Sequence, residues 1–370
     1  MESHIISDVI PIISSIPLNE TIPKQEWLDE WSKQLFVKIC SNHTCGWGEI
    51  LSAAFNSPNL YADIVRRFEP FLKNIEFTEP NIIWEKLRKL TFSGGYGPII
   101  GAISGIDIAL WDLKARISNV YLGDILGKNE NSVIRYASLS RYANPDKVSK
   151  ASINISKMGF EMIKLHQTKD DTLESVKKIR EKLGYSIDLM VDMNCSMKLE
   201  EAIQFANSVQ KYELKWLEEP IWPPDDHASL KKVNDIIPVA AGENFFSYYT
   251  FEKAVQMDAL TYFQPDVTKI GGLTPTLKII DLLKKNNKKL AFHNRPHNGW
   301  VGIFASIAAS KMSGINAIIE TPPNNIPDQY FKYSAEVENK YITVKGIGLG
   351  IDPIEPLPSL KNEKVLIFHH

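Results

Sequence analysis

The sequence predicts an α/β fold, a (β/α)8-type barrel preceded by an N-terminal α+β domain that the C-terminal segment returns to complete. Two observations predict the barrel. Eight short β-rich runs alternate with stretches of helical period from residue 130 onward. Seven polar residues end consecutive runs or begin the turns after them: Lys164, Asp192, Glu218, Glu243, Asp266, His293 and Glu320, at intervals of 23 to 28 residues. Each interval holds one βα unit. A third observation sets the first 130 residues apart, because they lack this alternation. The expected division is therefore 1–130 for the N-terminal domain, 131–340 for the barrel and 341–370 for the returning segment.

In the first division, two or three strand-like runs (IISDVIPIISSIPL, QLFVKICS and GWGEI) precede helical segments at 60–74, 81–90 and 102–116. GGYGPIIG at 94–101 lacks the Gly-Lys-Ser/Thr ending of a phosphate loop and reads as a turn leading into a closely packed helix. The barrel runs are VIRYASLS near 133–140, MIKLH at 162–166, DLMVD at 188–192 and LKWLE at 214–218, then PVAAGE at 238–243, LTYFQPD at 260–266, LAFH at 290–293 and AIIE at 317–320. Segments such as 172–183, 199–211 and 273–285 carry apolar residues three and four apart, with Lys or Glu opposite, as surface helices do. The final division carries Gly346, Gly348 and Gly350.

Composition excludes several classes. Among 370 residues, 44% are apolar and 23% charged, values of a folded globular chain. Forty-two Lys and Arg against 44 Asp and Glu leave a net charge of −2, with no basic excess for nucleic acid. The uncharged stretch Thr91 to Ile106 is too short and glycine-rich to span a membrane. No positive charge precedes Lys24, so no secretory signal is expected. Cys40, Cys45 and Cys195 match neither a zinc site nor a disulfide framework, which points to a reducing compartment and a cytoplasmic location. The terminal His369 and His370 are set aside as native residues or a tag remnant.

Closing the units into a barrel brings the strand-end residues together at the C-terminal face, where barrel active sites lie. Asp192, Glu218 and Glu243, in the contexts VDMN, LEEP and GEN, form a candidate magnesium site, since hard cations prefer carboxylate oxygens. A single strand-end acid is often only a helix cap. Glu219 should face the other side of its strand. Asp266 and His293 form an Asp–His pair, with His293 the first-choice base. Lys164 and His166 share one face of their strand, and Asn194 faces inward beside Asp192. Arg295 and His297 are candidates for binding substrate hydroxyls or a distal carboxylate, or are solvated loop residues. Cys195 reads as a buried thiol.

GWGE at 46–49, SGIDIALWDLKAR at 104–116, YLGDILGK at 121–128, the three metal contexts and PDVTKIGGLT at 265–274 resemble the enolase superfamily in its mandelate racemase branch, over nearly the whole chain. The resemblance implies one Mg²⁺ per site, bound to a substrate carboxylate and stabilising the enediolate formed on loss of the α-proton. It implies that Lys269 supports the site, that Glu320 stays protonated to donate a hydrogen bond to the substrate, and that two loops of a capping domain, around 17–26 and 50–60, shape specificity. Many members carry Lys-x-Lys on the second strand; this chain reads Lys164-Leu165-His166. The leading expectation is an acid-sugar dehydratase giving a 2-keto-3-deoxy acid. The alternatives are a racemase or epimerase and a non-catalytic acid-sugar binding protein. The resemblance also implies a homo-oligomer.

Overall fold

A computed structural model describes residues 4–18, 31–52, 57–127, 132–295, 297–313 and 316–359. In the N-terminal domain, β1 (Ile6–Ser15), β2 (Lys33–Ser41) and β3 (Thr44–Ile50) form an antiparallel sheet in that order. Alternation along β2 sorts its two faces: Leu35, Val37 and Ile39 pack toward the domain's own helices, whereas Phe36 packs into the barrel-side core. The helices are α1 (Pro58–Leu72), α2 (Pro80–Leu90) and α3 (Pro98–Ile117), each with proline in its first turn, where its missing N–H costs nothing. Helix α3 lies directly on β3. A Cβ at Gly48 would stand 2.0 Å from the carbonyl oxygen of Gly105, so only glycine permits this approach.

After α4 (Leu122–Leu126), eight parallel strands follow: β4 (Ser132–Ser138), β5 (Met162–His166), β6 (Asp188–Asp192), β7 (Trp216–Glu218), β8 (Val239–Ala241), β9 (Tyr262–Phe263), β10 (Lys289–Phe292) and β11 (Ile318–Thr321). Pairing of β11 with β4 closes the barrel. Helices α5 (Pro145–Lys157), α6 (Lys169–Leu183), α7 (Leu199–Val209), α8 (His227–Asn234), α9 (Tyr248–Gln256), α10 (Leu273–Lys285) and α11 (Trp300–Ser313) alternate with the strands. Several ladders are shorter than the expected runs, because the last residues of those runs leave the sheet to build the mouth. Asp266, for example, lies three residues beyond the end of β9.

The returning segment does two things. β12 (Phe331–Tyr333) pairs with β15 (Ile351–Pro353), while β13 (Ala335–Val337) and β14 (Tyr341–Val344) form a hairpin that joins β4 antiparallel. The segment also reaches the N-terminal domain, where the Leu349 N–H donates to Asp112 at 2.6 Å and the Ser15 N–H to the Pro358 carbonyl at 3.0 Å. Residues 360–370 lie outside the described residues, and so do His369 and His370.

The two longest motifs meet each other. Asp107 accepts from the backbone N–H and hydroxyl of Thr274 at 2.8 and 2.7 Å, Ser104 accepts from the Gly271 N–H, and the Trp111 indole donates to Thr274. Asp112 holds the Trp47 N–H at 2.8 Å together with Leu349 and Arg116. One helix therefore fastens both domains and the returning segment.

The cysteine expectation is corrected. Cys40 and Cys45 are disulfide-bonded and face each other across the β2–β3 hairpin, with Cα atoms 4.0 Å apart. A spacing of five closes a tight hairpin here, with Asn42 in the left-handed region at φ 53°. Disulfides are rare in a mesophile's cytosol, so the cysteines give no support to a reducing compartment. Among the described residues, no helix is long and apolar enough to cross a membrane.

Candidate active site

The barrel interior is layered by strand alternation. Met162, Met190 and Trp216 belong to an apolar cluster in the barrel interior; two residues further along the same strands come Lys164, Asp192 and Glu218. His166 follows on the same side, in register with Asp192. The polar layer at the C-terminal end thus repeats the face of the apolar one.

Asp192, Glu218 and Glu243 each bring one oxygen to within 4.8 Å of the others. Each carboxylate also has an oxygen tethered by a protein donor. Asp192 Oδ1 accepts from the Asn194 N–H at 2.8 Å, Glu218 Oε2 from the Trp216 indole at 2.9 Å, and Glu243 Oε1 from Asn244 Nδ2 at 3.1 Å. The second oxygens meet side-chain nitrogens: Glu218 Oε1 meets Lys164 Nζ at 2.6 Å, Asp192 Oδ2 meets His166 Nε2 at 3.1 Å, and Glu243 Oε2 meets His293 Nε2 at 2.7 Å. Three convergent hard oxygen donors, each oriented by a second residue, fit a hard divalent cation.

His293 Nδ1 lies 2.6 Å from Asp266 Oδ2, and Asp266 Oδ1 accepts from the Thr268 N–H at 2.7 Å. Lys164, buried completely, also reaches Glu320 at 2.8 Å. His166 Nδ1 faces the Leu139 carbonyl at 2.7 Å, which fixes the proton there and leaves Nε2 toward the site when the ring is neutral.

The family model for the mandelate racemase/muconate lactonizing enzyme N-terminal domain matches residues 27–127, and the enolase C-terminal domain-like model matches residues 148–356. The chain belongs to the enolase superfamily, in this mandelate racemase/muconate lactonizing enzyme family. It is 34% identical over 231 residues to the L-talarate/galactarate dehydratase of Salmonella typhimurium, covering 60% of this chain but only 58% of that protein. It is 28% identical over 336 residues to the D-galactarolactone cycloisomerase of Agrobacterium fabrum, covering 85% and 86%. A racemase from Streptomyces coelicolor, solved with bound magnesium, superposes with a TM-score of 0.81 at 23% identity, over 94% of this chain and 97% of that one.

Charge in this superfamily member is balanced within the site. Burial pulls the Lys164 ammonium down, but Glu218 and Glu320 outweigh it and hold its pKa well above the usual value. Burial likewise lowers His293, and Glu243 and Glu320 more than reverse this. Burial raises Glu218 to about 7, while Lys164 and His166 overcome burial at Asp192 and hold it near 2. The expectation that burial keeps Glu320 protonated is not met. Burial does push it up, but Lys164 and His293 outweigh that effect and hold its pKa below the usual value.

The substrate-binding candidates separate. Asn194 is at the mouth, its Oδ1 accepting from Arg141 at 3.2 Å. Lys269 turns to Asn244 at 2.8 Å and Glu243 at 3.5 Å, so it braces a carboxylate of the cluster. His297 is buried against Trp31, with Ser140 at 3.4 Å, and burial lowers it to about 3, which leaves it neutral. Arg295 is a correction: neither a solvated loop residue nor open to substrate, it is 2% exposed and its guanidinium bonds backbone carbonyls of the N-terminal domain. A rigid five-donor fork suits several carbonyls at once. Glu219 stays outside the carboxylate cluster, bonded to Asn244 and Cys195 at 2.6 and 3.2 Å.

Sequence reasoning missed Asn294. Its backbone N–H and side-chain amide both bond Glu320, at 3.3 and 3.1 Å, while Ser306 donates to its Oδ1 at 2.7 Å. Its position directly after the strand-end histidine was the available signal. Of the two expected specificity loops, residues 19–26 and 53–56 lie outside the described residues.

Proposed function

We propose that this protein is a Mg²⁺-dependent acid-sugar dehydratase, a carbon–oxygen lyase that converts a polyhydroxy acid to a 2-keto-3-deoxy acid. One observation carries the reading: His293, backed by Asp266 at 2.6 Å, touches the three-carboxylate cluster through Glu243 at 2.7 Å. A base is thereby held beside the place where a substrate carboxylate would be bound. The dehydratase and cycloisomerase names of its relatives agree with chemistry on sugar acids.

Asp192, Glu218 and Glu243 would hold the cation, whose contribution when bound is Lewis-acid stabilisation of the charge that develops on the substrate carboxylate. With the ring in its neutral form, His293 Nε2 takes the proton from the α-carbon, because the one remaining ring proton sits on Nδ1 facing Asp266. The C–H electron pair first delocalises into the substrate carboxylate as an enediolate and then forms the new α,β double bond as the β-hydroxyl departs. Protonated His293 returns its proton to that hydroxyl, so water leaves, and the enol tautomerises to the 2-keto acid. Glu320, paired with Lys164 at 2.8 Å, is poorly suited to that acid role. Lys164 supplies positive charge facing the carboxylates, and His166 Nε2 adds a second polar group at the mouth. A homo-oligomer acting on a small-molecule carboxylate is the setting this reading implies.

Proton NMR in D₂O with Mg²⁺, across mono- and diacid sugars, tests the proposal. Loss of the α-proton signal with 2-keto-3-deoxy product signals is the expected result. Deuterium at the α-position without loss of water would replace dehydration by racemisation or epimerisation. A folded protein that binds no Mg²⁺ and turns over no acid would instead be a binding protein.

A further inference from the structure

The segment after β10 does more than present the base. His293 faces Asp266, Asn294 holds Glu320, and then Arg295 and Asn298 reach into the N-terminal domain. Arg295 Nη1 donates to the Ser52 carbonyl at 2.9 Å, and Nη2 donates to the Trp31 and Lys33 carbonyls at 2.8 and 2.5 Å. Asn298 Nδ2 donates to the Pro17 carbonyl at 3.0 Å. These acceptors come from separate places. Pro17 follows β1, Trp31 and Lys33 stand at the start of β2, and Ser52 follows β3. The guanidinium carbon also lies 5.3 Å from the centre of the Trp31 ring, whose edge-on neighbour on another side is His297 at 6.3 Å.

Carbonyls at the ends of sheet strands have no ladder partner and need a donor when buried. A lysine ammonium, a single point with three donors, cannot span acceptors on two strands as a planar fork can. Nothing in the β10 ladder requires the next segment to carry such a fork. Its place two residues after His293 ties the geometry of the N-terminal strand ends to that of the base.

We propose that Arg295 is a positioning residue: it pins the strand ends at Trp31, Lys33 and Ser52 over the mouth and so sets the span between the N-terminal domain and His293. Substrate enters that span, and a longer acid reaches further toward the pinned strand ends. The kinetic consequence rests on the dehydratase reading, whereas the pinning itself does not.

The test uses the full chain carrying Arg295→Met, with Arg295→Lys and Asn298→Ala as milder variants that keep the measurement possible if the first fails to fold. Hydrogen exchange of peptides covering residues 31–35 and 50–52 is followed alongside kcat and KM for acid sugars of increasing length. Faster exchange confined to those peptides is expected. KM should rise roughly tenfold or more for the longest acids and less for short ones, since buried charged hydrogen bonds are lost. Lysine, which keeps the positive charge that faces Glu49 and Asp266, should restore part of KM and leave the pH profile of kcat unmoved. Wild-type protection in those peptides would overturn the proposal, as would losses that only track the unfolded fraction equally for every substrate. Should the wild-type protein turn over no acid sugar, the functional reading fails and the exchange measurement alone decides the pinning.

Discussion

His293 Nδ1 stands 2.6 Å from Asp266 Oδ2, one βα unit earlier in the chain. A carboxylate can only accept, so the proton sits on Nδ1 and the other nitrogen faces the site. Asp266→Asn would offer a donor in its place and favour the opposite tautomer. The α-proton exchange rate should fall roughly a hundred- to ten-thousand-fold with the fold intact by circular dichroism. An unchanged exchange rate would remove Asp266 from the catalytic group.

The three carboxylates predict metal-linked stability. With Mg²⁺ at about 100 times its dissociation constant, linkage adds about 2.7 kcal/mol to stability, a gain that EDTA should erase. Glu218→Gln should abolish the Mg²⁺-induced shift in Tm. A shift that persists in this variant would place the cation elsewhere.

Glu49 gives a pH dependence away from that cluster. Burial raises its carboxyl from an ordinary value of 4.5 to about 7, with Arg295 opposing, and Oε2 accepts from the Gly302 N–H at 2.9 Å. The folded state therefore binds this proton more tightly than the unfolded chain. Its contribution to stability is whole below the unfolded pKa and is lost as the pH rises through about 7. Glu49→Gln cannot ionise, so denaturant unfolding from pH 5 to 8 should find the wild type losing about 3 kcal/mol relative to the variant. Parallel pH curves for the two proteins would contradict the assignment.

The Cys40–Cys45 bond is read by counting thiols. Alkylation of the unfolded, unreduced chain should modify Cys195 alone, and reduction should expose all three cysteines. Because the closed loop is short, reduction should cost only about 2 kcal/mol. Three modified cysteines before reduction would refute the pairing.

Much of the site was legible because a barrel converts sequence period into position. Lys164, Asp192, Glu218, Glu243, Asp266, His293 and Glu320 recur once per βα unit, and a closed parallel barrel places such residues on one face. The side-chain period of two likewise placed Lys164 and His166 together, each touching Asp192, at 3.5 and 3.1 Å. Other outcomes depend on residues far apart in the chain. Arg295 resembles a loop residue until carbonyls more than 240 positions away surround it. Burial favours a protonated Glu320, and the arrival of Lys164 and His293 from elsewhere in the barrel reverses the balance. The SGIDIALWD and TKIGGLT motifs are visible as strings, but their contact through Asp107 and Thr274 is not. Period and alternation are local properties carried by the backbone; charge balance and carbonyl satisfaction depend on what folding brings alongside.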